Sequence, residues 1–280
     1  MKKTFLYRIF FFFAGLFLHF SVQSESLRYI ELVDSADYYI NREMWEEAEK
    51  TIISALRQEP ANFSNHLLFS NLGVVRTNLG KDSEALEAFG LGLSLAPNST
   101  VLLNNRSRTY ITIGKNKEAL EDLNKSLSLD SIQEWPLQMR GLILLGEGKN
   151  DDAKENFLFL HKHFPKNEIS YLGLGEISES EGKDDIALNY YKEGLNINEN
   201  EELYSAYILL KIKQENYSEA SEKIRECISK FPQNPIFYVL RGYLHKLNYR
   251  YEEAEADKKI AISKGASEEL INRYLNLPRR

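Results

Sequence analysis

The stretch LLFSNLGVVRTNLGKDSEALEAFGLGLSLAP, residues 67–97, decides the fold. Leu67, Leu68, Leu72, Val75 and Leu79 recur mainly at steps of three and four, which marks one face of a helix. Gly80-Lys81-Asp82-Ser83 then interrupts the pattern; glycine there permits a left-handed cap, and the polar residues make a turn. Glu84-Ala85-Leu86-Glu87-Ala88-Phe89 opens a second helix, and Pro97 ends it, because proline cannot continue a helix.

The same unit recurs along the chain. Gly80, Gly114, Gly148 and Gly182 lie 34 residues apart, as do Ala85, Ala119, Ala153 and Ala187. Phe89, Leu123, Phe157 and Tyr191 follow each alanine by four residues, and the small residues Gly73, Ser107, Gly141 and Gly175 precede it. Extended outward, the second-helix alanines are 48, 85, 119, 153, 187, 220 and 254, spaced 37, 34, 34, 34, 33 and 34. A fixed period of this length denotes a repeat architecture. The chain therefore contains seven units, with three extra residues near Phe63-Ser64-Asn65 and one missing near Asn198–Glu202. The small residues let paired helices approach closely. Pro136 and Pro235 fall in first turns, where the missing N–H costs nothing.

These residues resemble the tetratricopeptide repeat, a helix–turn–helix unit of 34 residues. Phe69, Leu72-Gly73, Ala85, Phe89 and Pro97 match one unit, and Tyr238, Gly242 and Ala254 match another. Ser131, Glu199 and Ala266 depart from the pattern where proline is usual, and Ile208 departs where a small residue is expected. The resemblance implies an all-α fold: a right-handed α-α superhelix, or solenoid, of about seven repeats with a C-terminal capping helix. The repeats fall at about 29–62, 66–99, 100–133, 134–167, 168–201, 201–234 and 235–268, within a superhelix of 25–268, leaving 269–280 for the capping helix and tail. Leu270, Ile271, Tyr274 and Leu275 give that last helix its apolar face, as the exposed end of a repeat stack requires.

Residues 1–24 read as an export signal. Lys2, Lys3 and Arg8 precede a 12-residue apolar run, Ile9–Phe20, and short side chains at Val22 and Ser24 place cleavage between Ser24 and Glu25. The run is too short for a comfortable transmembrane helix, and the layout is that of a signal peptide. The chain is thus expected to be exported, periplasmic or secreted, with no membrane attachment after cleavage; an uncleaved N-terminal anchor is the alternative.

Composition narrows the function. The 280 residues are 43% hydrophobic and 27% charged, enough apolar content for a core. The net charge is −6, and losing the three basic residues of the signal makes it −9. That argues against nucleic acid as a partner, since a nucleic-acid binder needs a basic face. Cys227 is the single cysteine, which excludes an internal disulfide; it reads as a small core residue. Gly90-Leu91-Gly92 and Gly173-Leu174-Gly175 lie in helical stretches and follow no strand, so they are not phosphate loops. His161 and His163 are two apart, which sends their rings to different sides of a helix. No catalytic constellation, cofactor or metal site emerges.

In the family that the repeats resemble, the first helices line a concave side, which commonly holds a peptide or a partner helix. Aligning the units places Val33 and Asp37 there, then Leu67, Ser70 and Val74, then Val101, Asn104 and Arg108. Trp135, Gln138 and Leu142 follow, then Ile169, Leu172 and Glu176, then Ser205 and Leu209, then Ile236, Val239 and Tyr243. Contiguous exposed apolar surface marks an interaction site, and Trp135 is the expected hot spot. Asn104, Gln138 and Glu176 would set register. Arg108 is the one basic residue in the centre of this set, which disfavours an acidic tail as ligand. Ordinary packing between helices is the competing reading of the same apolar residues. The sequence thus points to a non-catalytic protein-interaction scaffold outside the cytoplasm, in the setting of a cell-envelope assembly. A self-associating structural subunit is the alternative, and a hydrolase or glycan-processing enzyme the remote one.

Overall fold

The structure is a computed structural model in which residues 27–276 are described. Those residues form fifteen helices and no strand. They are α1 (residues 27–40), α2 (Trp45–Gln58), α3 (Asn65–Asn78), α4 (Asp82–Leu95), α5 (Thr100–Thr112), α6 (Asn116–Leu129), α7 (Glu134–Gly146) and α8 (Asn150–His163). Then come α9 (Glu168–Ser180), α10 (Asp184–Ile197), α11 (Glu201–Lys213), α12 (Tyr217–Lys230), α13 (Pro235–Leu247), α14 (Tyr251–Ser263) and α15 (Glu268–Tyr274). The fold class is all-α, a tandem array of helix–turn–helix pairs closed by a short last helix. A repeat array has no single core, since each unit touches only its neighbours. The described residues divide into two compact units, the first ending at Pro136 and the second beginning at Leu137.

One turn position recurs in every repeat. Gly80, Gly114, Gly148 and Gly182 have φ of 71–73°, and Glu43, Glu215 and Tyr249 hold the equivalent places at φ 56°, 57° and 61°. The helix pair therefore demands a left-handed residue at its turn, and three repeats meet that demand against the preference of an L side chain. Length variation between units falls in the links between repeats: six residues, 59–64, separate α2 from α3, and three, 198–200, separate α10 from α11. First helices gain support from their caps. Ser99, Asn167 and Asn200 accept the N–H of Leu102, Ser170 and Leu203 at 3.3, 3.2 and 2.9 Å, each cap contributing about 1 kcal/mol.

Packing inside most repeats follows a size rule. The small residue of the first helix faces a residue sixteen positions on, in the second helix. A methyl group on Gly73 would lie 2.4 Å from Phe89, and one on Gly175 would lie 2.1 Å from Tyr191. Phe157 is enclosed by Gly141 and Gly173, at 2.6 and 2.4 Å on the same measure. Phe89, Phe157 and Tyr191 are consequently 0% exposed, and burying each such side chain stabilises the fold by roughly 1.5–3 kcal/mol. In two repeats a larger first residue goes with a smaller second one: Ala36 with Ile52, and Ser107 with Leu123, all fully buried; the sixth repeat departs from this, burying Ile208 and Ile224 together. At the last repeat, Leu275 fills the space beside Gly242, so the end helix α15 continues the packing rule.

Charged clamps reinforce some pairs at the adjoining position. Arg106 binds Asp122 through two hydrogen bonds of 2.7 and 2.6 Å, and Arg241 grips Asp257 in the same way at 3.0 and 2.6 Å. Both spacings are again sixteen residues. Bidentate guanidinium–carboxylate pairs fix geometry as well as adding energy.

Candidate functional site

The first helices of the two units use their repeat-equivalent positions differently. In the first unit, one row is Ile30, Leu67 and Val101, exposed by 51, 55 and 56%. The polar residues beside this row bind one another across repeats. Asn71 donates to Asp37 at 3.4 Å, Asn105 to the Ser70 hydroxyl at 3.2 Å, and Asn104 to Gln133 at 2.8 Å. Ser70 is buried, 4% exposed, which corrects its placement on an open face: the next repeat covers it and hydrogen-bonds to it. Arg108 lies over the Trp135 ring at 4.5 Å. Trp135 is half-buried, with one ring face already occupied by a cation. Val33 and Val74 pack against the cores of their own repeats.

In the second unit, the first helices enclose a cleft. Leu172, Glu176, Glu201, Glu202, Ser205, Ala206, Leu209, Asn234 and Ile236 line about 390 Å³ between α9, α11 and the start of α13. Leu172, Leu209 and Ile236 form the apolar part, each also packed against a core cluster behind it. Glu201 accepts a hydrogen bond from Asn234, which also caps α13 by accepting the Ile236 N–H at 2.9 Å. Glu176 and Glu202 are exposed into the opening. Desolvation by the surrounding protein pushes the Glu176 carboxyl above the usual carboxylate range, and the charge of Glu179 adds to this. The arrangement offers apolar contact flanked by negative charge.

Elsewhere on this unit the sequence-derived positions behave differently. Gln138 accepts from Asn167 at 3.3 Å, bracing two repeats. Leu142 is half-buried. Val239 is 0% exposed, which corrects its assignment to an open face: it belongs to the cluster of Tyr238, Ala261, Ile271 and Leu275 that α15 closes. Tyr243 packs with Tyr274 of the same end helix, ring centroids 5.5 Å apart. Ser24 and Glu25, the expected cleavage residues, lie outside the described residues.

Sequence reasoning missed Ile30, Glu201, Glu202, Ala206 and Asn234. Two of these carried a signal: Ile30 precedes Leu67 by 37 residues and Glu202 follows Ile169 by 33, the two irregular repeat spacings. Glu201 and Asn234 line the cleft from helix starts, and Ala206 lines it from within α11.

The chemistry-bearing residues are structural. Cys227 is 0% exposed, and burial, followed by the charge of Glu226, pushes its thiol up to about 12, so it carries no reactive thiolate. The His161 ring meets Tyr171 edge-on at 4.7 Å, whereas His163 packs on Phe159 at 4.4 Å. Gly90 and Gly92 sit inside α4, Gly173 and Gly175 inside α9. Among the described residues no group of three or more His, Cys, Asp or Glu side chains is placed to hold a metal, and no helix is long and apolar enough to cross a membrane.

Known proteins agree with this architecture. Residues 101–133 match the family model described as tetratricopeptide repeat. No curated protein matches the sequence. Among solved structures, the chain is similar to a tetratricopeptide repeat protein from Parabacteroides merdae ATCC 43184, with 26% identity and a TM-score of 0.74 over 89% of this chain and 98% of that one. It is also similar in fold to PilF of Pseudomonas aeruginosa, 19% identical with a TM-score of 0.60 over 77% and 94% of the two chains. The MamA protein aligns at 20% identity and a TM-score of 0.55 over 61% and 92%. One stretch of the chain thus matches the tetratricopeptide repeat model, and the helix pairs built on the 34-residue period give the chain the fold of the tetratricopeptide repeat protein it is similar to.

Proposed function

We propose that this chain is a non-catalytic scaffold that acts outside the cytoplasm and holds a protein or peptide segment along its first-helix face, as a member of a cell-envelope assembly. Tetratricopeptide repeats are in general protein-interaction scaffolds, and the partner site here is the cleft between α9, α11 and α13. The observation that carries this reading is the cleft itself: three half-buried apolar side chains and two unpartnered carboxylates open to solvent in one concavity. Clefts with an apolar lining and a few polar groups are the usual form of binding sites. Export is supported by the basic start and 12-residue apolar run of residues 1–24.

The test is affinity capture from the native cell envelope with the chain, its Leu209→Arg form and its Trp135→Ala form. Loss of a partner on Leu209→Arg, with retention on Trp135→Ala, supports the cleft. Equal capture by all three moves the site off this face. Capture of only further copies of the chain supports self-association instead. The N-terminal residue of the protein recovered from cells, Glu25 on this reading, checks the export signal.

A further inference from the structure

The cleft carries more information than its shape, because the charges around it are not balanced within the chain. Several carboxylates of the second unit are paired with lysines of their own repeat or its neighbour. Glu181 takes Lys154 and Lys183, Glu219 takes Lys211, and Glu226 takes Lys223 and Lys230. The cleft combines acidic groups lacking such partners with an apolar lining. Three carboxylates, Glu176, Glu201 and Glu202, converge from two successive first helices, and no lysine, arginine or histidine lines the opening. Among the described residues, neither Glu176 nor Glu202 receives a hydrogen bond or an ion pair. The apolar residues Leu172, Leu209 and Ile236 lie in the same concavity. An apolar groove rimmed by unpaired negative charge is complementary to a segment bearing both apolar side chains and cations.

We propose that this cleft binds a peptide segment in which a lysine or arginine stands next to apolar residues, the apolar side chains seating on Leu172, Leu209 and Ile236 and the cation on Glu176 and Glu202. This deepens the scaffold reading given above and rests on it. Arginine suits the site best, since its planar fork meets a carboxylate through two parallel hydrogen bonds. The raised carboxyl of Glu176 fits the same picture: a cation delivered beside it offsets both the desolvation and the repulsion from Glu179. An acidic segment is excluded by the same charges.

The experiment selects random twelve-residue peptides displayed on phage against the full chain, at low and at moderate salt. Two variants serve as controls: Glu176→Gln with Glu202→Gln, and Leu172→Asp with Leu209→Asp. The proposal expects selected peptides rich in Lys or Arg beside apolar residues. Their affinity should fall at least about tenfold in the double Gln variant and weaken as salt rises. Because the Gln variants change only exposed groups, circular dichroism and the unfolding midpoint should match the parent. Peptides without cations, lost only in the double Asp variant, would overturn the charge rule while leaving the cleft as the binding site. Selection insensitive to both variants, or no selection at all, would overturn the proposal and the cleft together.

Discussion

The third repeat, α5 and α6, and the fifth, α9 and α10, solve the same problem with different residues. In the third, Ser107 and Leu123 hold the two buried positions and a bidentate Arg106–Asp122 pair stiffens the adjoining one. In the fifth, Gly175 meets Tyr191, whose hydroxyl donates to Glu179. In these two repeats a smaller residue on one helix goes with a larger one on the other, whereas the sixth repeat buries Ile208 and Ile224 together. Their first-helix faces diverge further. Arg108 of the third repeat is stacked on Trp135, and Asn104 is tied to Gln133. Glu176 of the fifth is left open beside Leu172. Both interiors are fully buried, whereas the two faces differ in how far their polar groups are satisfied within the chain. Where the chain satisfies its own polar groups, it leaves little for a partner to satisfy.

The interior half of this comparison is the more strongly testable. Tyr191→Ala should cost about 3–5 kcal/mol, measured by urea unfolding, with faster hydrogen exchange concentrated in α9 to α11, because repeats contact only their neighbours. Gly175→Ser should cost about 1–3 kcal/mol by overpacking. Combining Gly175→Ser with Tyr191→Leu copies the third repeat into the fifth, and the double variant should be more stable than the sum of the single losses implies. Strictly additive losses would break the size rule, since residues in contact are expected to couple.

A smaller effect extends the comparison to the turns. The third and fifth repeats place glycine at the left-handed position, Gly114 and Gly182, whereas the sixth and seventh place Glu215 and Tyr249 there. Glu215→Gly and Tyr249→Gly should each raise stability by about 1 kcal/mol by relieving an unfavourable φ. Thermal melts that fall on either substitution would show that these side chains matter more than the backbone they strain.

The fold was legible because its signals are periodic and local. A glycine every 34 residues, an alanine after it and an aromatic four residues on need no knowledge of distant contacts. The face was only partly legible, because position in a repeat says nothing about what the neighbouring residues do. Ser70 aligns with Leu172, yet Asn105 covers the first and the cleft exposes the second. Val239 occupies the same row but lies under α15, a cap present at one end only. Trp135 reads as an exposed anchor until Arg108 is seen above its ring. The left-handed turns at Glu43, Glu215 and Tyr249 were invisible for a related reason, since the residue that normally announces them is absent.

The measurement that tests the central claim most directly is hydrogen exchange of the chain with and without its captured partner. The cleft account predicts new protection in α9, α11 and the first turn of α13, with the second helices α10 and α12 changed much less. Protection confined to the second helices, or to the Ile30, Leu67 and Val101 row of the first unit, would contradict it.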